Sequence, residues 1–139
     1  MREIYDIADE WLSAGRTFAI ARVIATWGSS PRPAGSMMLV GNDGTLAGSV
    51  SGGCVEGAVV KTAKEVMADG KARRLTFGVA DETAWSFGLT CGGSVSVWVE
   101  RAPVGDERIS QWNKLLKTIR QNQFSVWITK LDEASVSSI

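Results

Sequence analysis

Apolar residues at Ile4, Ile7, Ala8, Trp11 and Leu12 recur at helical spacing, with Asp6, Asp9 and Glu10 between them. The chain therefore opens on an amphipathic helix, with Gly15 placed to end it. Thr17–Thr26 is β-branched and apolar on both faces, which predicts a central strand. Arg22 interrupts that run and faces either a polar edge or a ligand. Met37–Val40 and Thr45–Val50 are short apolar runs on either side of GNDG, a hairpin signal. From Cys54 to about Asp69 the period is again helical, with Val55, Val59, Ala63, Val66 and Met67 in one stripe. Gly53 or Ser51 is the expected N-cap, and Gly70 the stop.

Ala72–Gly78 reads as a strand with Leu75 and Phe77 on one face, and Val79–Gly88 as polar and irregular. Ser94–Glu100 alternates, turning Val95, Val97 and Val99 inward. Asp106 is positioned to cap a helix reaching about Asn122, with Ile109, Trp112, Leu115, Leu116 and Ile119 on its buried side. Phe124–Lys130 reads as a last strand. This succession predicts an α+β fold: a single domain with a mixed β-sheet, a β-hairpin and about three helices. The domain is expected over residues 1–133, with 134–139 a tail or the start of a linker.

Composition narrows the function classes. The 139 residues fit one domain, and 45% apolar with 22% charged residues is ordinary for a globular protein. Fifteen basic and fifteen acidic residues cancel, so no electrostatic footprint for nucleic acid or an anionic membrane is seen. No apolar run approaches the roughly 18 residues of a membrane span. The amphipathic start does not resemble a secretory signal, and two cysteines without one suggest reduced thiols in a cytoplasm. Histidine is absent, which removes Ser-His-Asp and Cys-His catalysis within one protomer. Two cysteines also fall short of the four ligands of a structural zinc site unless carboxylates or a second chain complete it. No GxGxxG follows a strand, so a dinucleotide-binding domain is not supported.

Candidate chemistry concentrates in loops. Ser49–Glu56, SVSGGCVE, joins Ser51, Gly52, Gly53 and Cys54 to a helix start, where free N–H groups favour a thiolate and suit an oxyanion. Glu56, three after Gly53, stands where those N–H groups favour a carboxylate. Cys91, Gly92 and Gly93 offer a second sulfur and further donors. Gly28–Ser36 holds Ser29, Ser30 and Arg32, the last between two prolines and suited to a bidentate grip on phosphate. Trp27 and Trp85, in loops, are candidates to line a site. Taken singly, a cysteine beside glycine is more often a small buried residue, and a Gly-Gly pair more often a plain turn than a ligand cradle. A Cys54–Cys91 disulfide does not suit a reducing cell.

Three blocks together carry a resemblance: TWGSSPRPAGSMM at 26–38, DGTLAGSVSGGCVE at 43–56 and FGLTCGGSVSVWVE at 87–100. In this order they resemble the N-terminal domain of the XdhC/CoxI family, over roughly residues 5–130. The resemblance implies a maturation factor for molybdenum hydroxylases such as xanthine dehydrogenase. Such a factor binds the molybdenum cofactor (molybdopterin), assists its sulfuration and delivers it to the apo-enzyme without chemistry of its own. Ser29, Ser30, Arg32, Ser51, Gly52, Gly53, Glu56, Gly92 and Gly93 would then hold phosphate or pterin oxygens. Cys54 and Cys91 would offer soft sulfur to molybdenum through the cofactor. Members of the family continue into a C-terminal Rossmann-like domain; none is expected within these 139 residues, whether the protein is split, shortened or one domain of a longer chain. A separate Rossmann-domain chain is therefore an expected partner, and self-association into a homo-oligomer is expected as well. Two other readings remain at this point. One is a thiol-dependent redox or sulfur-transfer enzyme using Cys54 and Cys91. The other is a scaffolding half that docks on a Rossmann-type partner.

Overall fold

A computed structural model describes residues 2–30, 32–53, 55–78, 93–131 and 136–138. The elements run α1 (Arg2–Ser13), β1 (Phe18–Trp27), β2 (Met37–Gly41), β3 (Leu46–Gly48), α2 (Glu56–Asp69), β4 (Arg73–Phe77), β5 (Ser94–Arg101), α3 (Asp106–Arg120) and β6 (Val136–Ser138). The strands form one sheet in the order β3-β2-β1-β5-β4-β6. Every neighbouring pair is antiparallel except β4 with β6. The result is a single α+β domain with a mixed sheet, a hairpin and three helices among the described residues, as the sequence predicts.

β1 is central because it has something apolar to meet on each face. Ala19, Ala21 and Val23 join a core with Val59, Ala63 and Val66 of α2. Phe18 and Ile20 join a second core with Ala8 and Trp11 of α1 and Trp112, Leu115 and Leu116 of α3. The sheet is thus sandwiched between α2 and the α1/α3 pair. An antiparallel sheet covered on both sides loses the polar alternation of a half-exposed one. β5 obeys the same rule. Val95, Val97 and Val99 are buried toward α2, and Ser96 and Trp98, on the opposite face, are buried as well. Arg22 meets the polar alternative: its Nη1 donates to Glu100 Oε1 at 2.9 Å across β1 and β5.

Local chemistry departs from expectation in three places. The residue in the cap position of α2 is Val55, with no side-chain cap bond, rather than Gly53 or Ser51. The Glu56 carboxylate gathers the N–H groups there instead. Gly105, not Asp106, occupies the cap position of α3; Asp106 and Glu107 lie in its first turn, where the helix dipole favours acids. Ile109 on that helix is exposed, while Trp112, Leu115 and Leu116 carry the burial.

The third departure is Phe124–Lys130, which is not a strand. Its alternation has the right period, but pairing needs a free edge. The outer edge of β4 is taken by β6, with Arg74–Thr76 opposite Val136–Ser138. The segment lies beside α3 instead, with the Trp127 ring edge-on to Trp112 at 6.2 Å between centroids. Phe124 and Ile128 are left 94% and 86% exposed. Val136–Ser138 fall in the stretch read as tail. No helix of the described residues is long and apolar enough to cross a membrane.

Gly57, in the first turn of α2, has no atom within 4 Å of where a Cβ would stand. Gly57→Ala is therefore expected to stabilise the protein by about 0.5–1 kcal/mol, from lost backbone freedom in the unfolded chain. Urea denaturation checks this; a lower midpoint would contradict it.

Candidate functional site at one end of the sheet

Strand directions decide where the loops meet. β1 runs toward one end of the sheet, and β3, antiparallel to β2 as β1 is, runs toward the same end. β5, antiparallel to β1, begins there. The loops that follow β1, follow β3 and precede β5 therefore share an end. These are Gly28–Ser36, Ser49–Glu56 and the stretch containing Gly93.

Two of them touch. A Cβ on Gly93 would stand 2.7 Å from the Trp27 carbonyl oxygen and closer still to that of Ser29. Only glycine lets these backbones approach so closely. Within Gly28–Ser36, Ser30 Oγ donates to the Arg32 carbonyl at 3.0 Å and Ser36 Oγ to the Pro33 carbonyl at 2.7 Å. The Gly35 N–H donates to the Val23 carbonyl and the Val23 N–H to the Ser36 carbonyl, so the far side of the loop is tied back to β1. Ser29 and Arg32 are exposed, and Arg32 makes no ion pair among the described residues. Trp27 is 71% exposed at this end.

The third loop is organised by an internal anion. Glu56 Oε1 accepts from Ser49 Oγ at 2.8 Å, the Ser51 N–H at 3.0 Å and the Val50 N–H at 3.3 Å. Its Oε2 accepts from Ser51 Oγ at 2.5 Å, the Gly53 N–H at 2.9 Å and the Val55 N–H at 3.2 Å. The Gly52 N–H donates to Ser49 Oγ, and the Val55 N–H also to Ser51 Oγ. Gly52 and Gly53, at φ 70° and 113°, make the reversal that turns these groups inward. Burial by itself would raise the Glu56 pKa, but the hydrogen bonds from Ser51 and Ser49 outweigh it and hold the carboxyl at about 2.

The oxyanion cradle expected from the sequence is thus filled by the chain's own carboxylate. Glu56 shapes the loop from within, while Gly52 and Gly53 present its outer surface to solvent. Ser49 is a structural member that sequence reasoning left out of the site; the S-x-S-G-G-x-x-E spacing, an extended relative of a capping box, is the signal for it. Val50 and Val55 flank the glycines and anchor the loop in the core that also holds Val23 and Val95. Cys54, Trp85, Cys91 and Gly92 lie outside the described residues. Among the described residues no cluster of acids, cysteines or histidines is grouped to hold a metal ion.

Several known proteins are similar to this chain. The model of the XdhC and CoxI family matches residues 11–78, which include the first two loops. The molybdenum cofactor insertion chaperone PaoD of Escherichia coli (strain K12) is 31% identical over 115 residues, covering 82% of this chain and 36% of PaoD. A probable xanthine dehydrogenase component of Bacillus subtilis (strain 168) is 23% identical over 136 residues, covering 96% of this chain and 41% of the relative. A crystal structure of a xanthine dehydrogenase from Bacillus halodurans superposes with a TM-score of 0.70 at 25% identity, covering 84% of this chain and 35% of that one. The chain thus spans little more than a third of the length of these proteins.

Proposed function

This chain belongs to the XdhC and CoxI family, and from that premise we propose that it holds the molybdenum cofactor as cargo and passes it to a xanthine dehydrogenase-type apo-enzyme in the cytoplasm. The observation that carries the reading is the common end of the sheet from which all three glycine-rich loops emerge. The cofactor presents a phosphate, a pterin and a dithiolene-bound metal, and the residues of these loops include a chemical partner for each. Arg32 is exposed and without a carboxylate partner among the described residues, so it is available to a phosphate. Ser29, Ser30 and Gly93 supply hydroxyl and backbone groups in the same pair of loops, and Gly92 precedes Gly93 in the chain. Cys54, next to the Glu56-bound turn, and Cys91, next to Gly92, supply sulfur for molybdenum.

Glu56 is a positioning residue in this reading, since its oxygens are engaged by Ser49, Ser51 and the backbone. Ser51, Gly52 and Gly53 shape the turn that immediately precedes Cys54 in the chain. Assistance with sulfuration of the cofactor, a Rossmann-domain partner and self-association complete the proposal.

Transfer is the direct test. Cofactor-loaded protein mixed with an apo molybdenum hydroxylase should restore that enzyme's activity, and at a higher yield than the same amount of free cofactor. Equal yields from both would overturn the chaperone reading. Arg32→Ala should weaken cofactor retention about tenfold, the worth of a charge-assisted hydrogen-bond pair, with an unchanged melting temperature. Retention equal to wild type would remove Arg32 from the site.

A further inference from the structure

A second place in the fold has the chemistry of a binding site, and none of the described residues of the three loops lines it. On the α3 side of the sheet a cavity of about 840 Å³ opens between β1, β5, α3 and the extended segment after it. Six basic residues line it, Arg22, Lys71, Arg73, Arg101, Arg108 and Lys130, against one acidic residue, Glu100. The chain as a whole is neutral, so this is a local surplus. Glu100 is already paired with Arg22, and Arg73 with Asp69 and Glu65 of α2. Lys71, Arg101, Arg108 and Lys130 make no ion pair among the described residues.

The walls carry a second signal. Trp98, Trp112 and Trp127 all line the cavity. The indole N–H groups of Trp98 and Trp112 are buried and have no hydrogen-bond partner among the described residues, and the same holds for Arg101 Nε. Both of these tryptophans are almost fully buried. Native proteins rarely leave buried donors unmet, so three of them around one cavity favour an acceptor-rich occupant.

We propose that this cavity binds a small phosphorylated aromatic heterocycle of the nucleoside phosphate class. Size selects a small molecule over a polymer, because the volume is that of an ordinary ligand pocket. Four unpaired cations select a multiply charged group, which a phosphomonoester is and a carboxylate is not. The indole walls select a planar ring, with Trp127, half-open to solvent and edge-on to Trp112, available to cover it. The Arg22–Glu100 pair on the sheet contributes no net charge of its own.

Calorimetric titration of the intact protein with AMP, UMP, uridine and inorganic phosphate tests this, beside the double variant Arg108→Glu, Lys130→Glu. Both altered residues lie at the surface without an ion pair among the described residues, so the variant should keep the wild-type melting temperature. At least one nucleotide should bind saturably, about tenfold or more tighter than uridine or phosphate alone, and the double variant should lose about tenfold or more of that affinity. Absence of saturable heat with both nucleotides would overturn the proposal. So would phosphate binding as tightly as the nucleotide, or undiminished affinity in the variant.

Discussion

Glu56→Ala should cost about 2–4 kcal/mol of stability, because it strips the acceptor from several buried donors at once. Val50, Ser51 and Val55 are each almost fully buried, and their N–H groups have no route to water when the carboxylate goes. Val55 keeps a bond to Ser51 Oγ, which limits the loss at that position. Glu56→Gln keeps the size but turns an amide toward donors, so it too should be destabilised.

The pH dependence has a definite sign. The folded-state pKa, at about 2, lies below the ordinary 4.5, so the carboxylate's contribution is fully present above about 4.5 and is lost as pH falls through about 2. Urea midpoints of wild type and Glu56→Gln should therefore differ most at neutral pH and converge as the solution is acidified across that window. A constant difference at every pH, or Glu56→Ala as stable as wild type, would contradict this picture of the loop.

The second large effect is expected at Gly93. A methyl group there would meet backbone atoms of Trp27 and Ser29 well inside contact distance, and backbone cannot swing aside as a side chain can. Gly93→Ala should cost about 1–3 kcal/mol and displace the Gly28–Ser36 loop from the start of β5. Amide chemical shifts of Trp27, Gly28, Ser29 and Ser30 should move while those of α2 stay in place. Gly57→Ala, at an open position, is the matched control. If both substitutions leave the protein equally stable, these two loops are not in contact.

Helices and hairpin were legible in the sequence because their causes are local. The Trp11-containing stripe, the α2 stripe and the GNDG turn each need only a few neighbouring residues to be read. Phe124–Lys130 misled because strand formation also needs a partner edge, and Val136–Ser138 hold the edge beside β4. Glu56 was visible as a favourable acid near a helix start. The inward turn of the Ser49 and Ser51 hydroxyls and the glycine N–H groups depends on φ angles that residue types only permit. The basic cavity left no trace in the chain because its cations are scattered from Arg22 to Lys130 and gather only through strand pairing. The roles given to Cys54 and Cys91 rest on their neighbours in the chain, since both lie outside the described residues.

Cargo bound to the purified protein decides the central claim most directly. Wild type and Cys54→Ala, isolated from cells that make the molybdenum cofactor, are assayed for pterin by fluorescence after oxidation and for molybdenum by mass spectrometry. Wild type should carry both in matching amounts, and Cys54→Ala should fall to background. Wild-type protein with neither pterin nor molybdenum above that background would contradict the account.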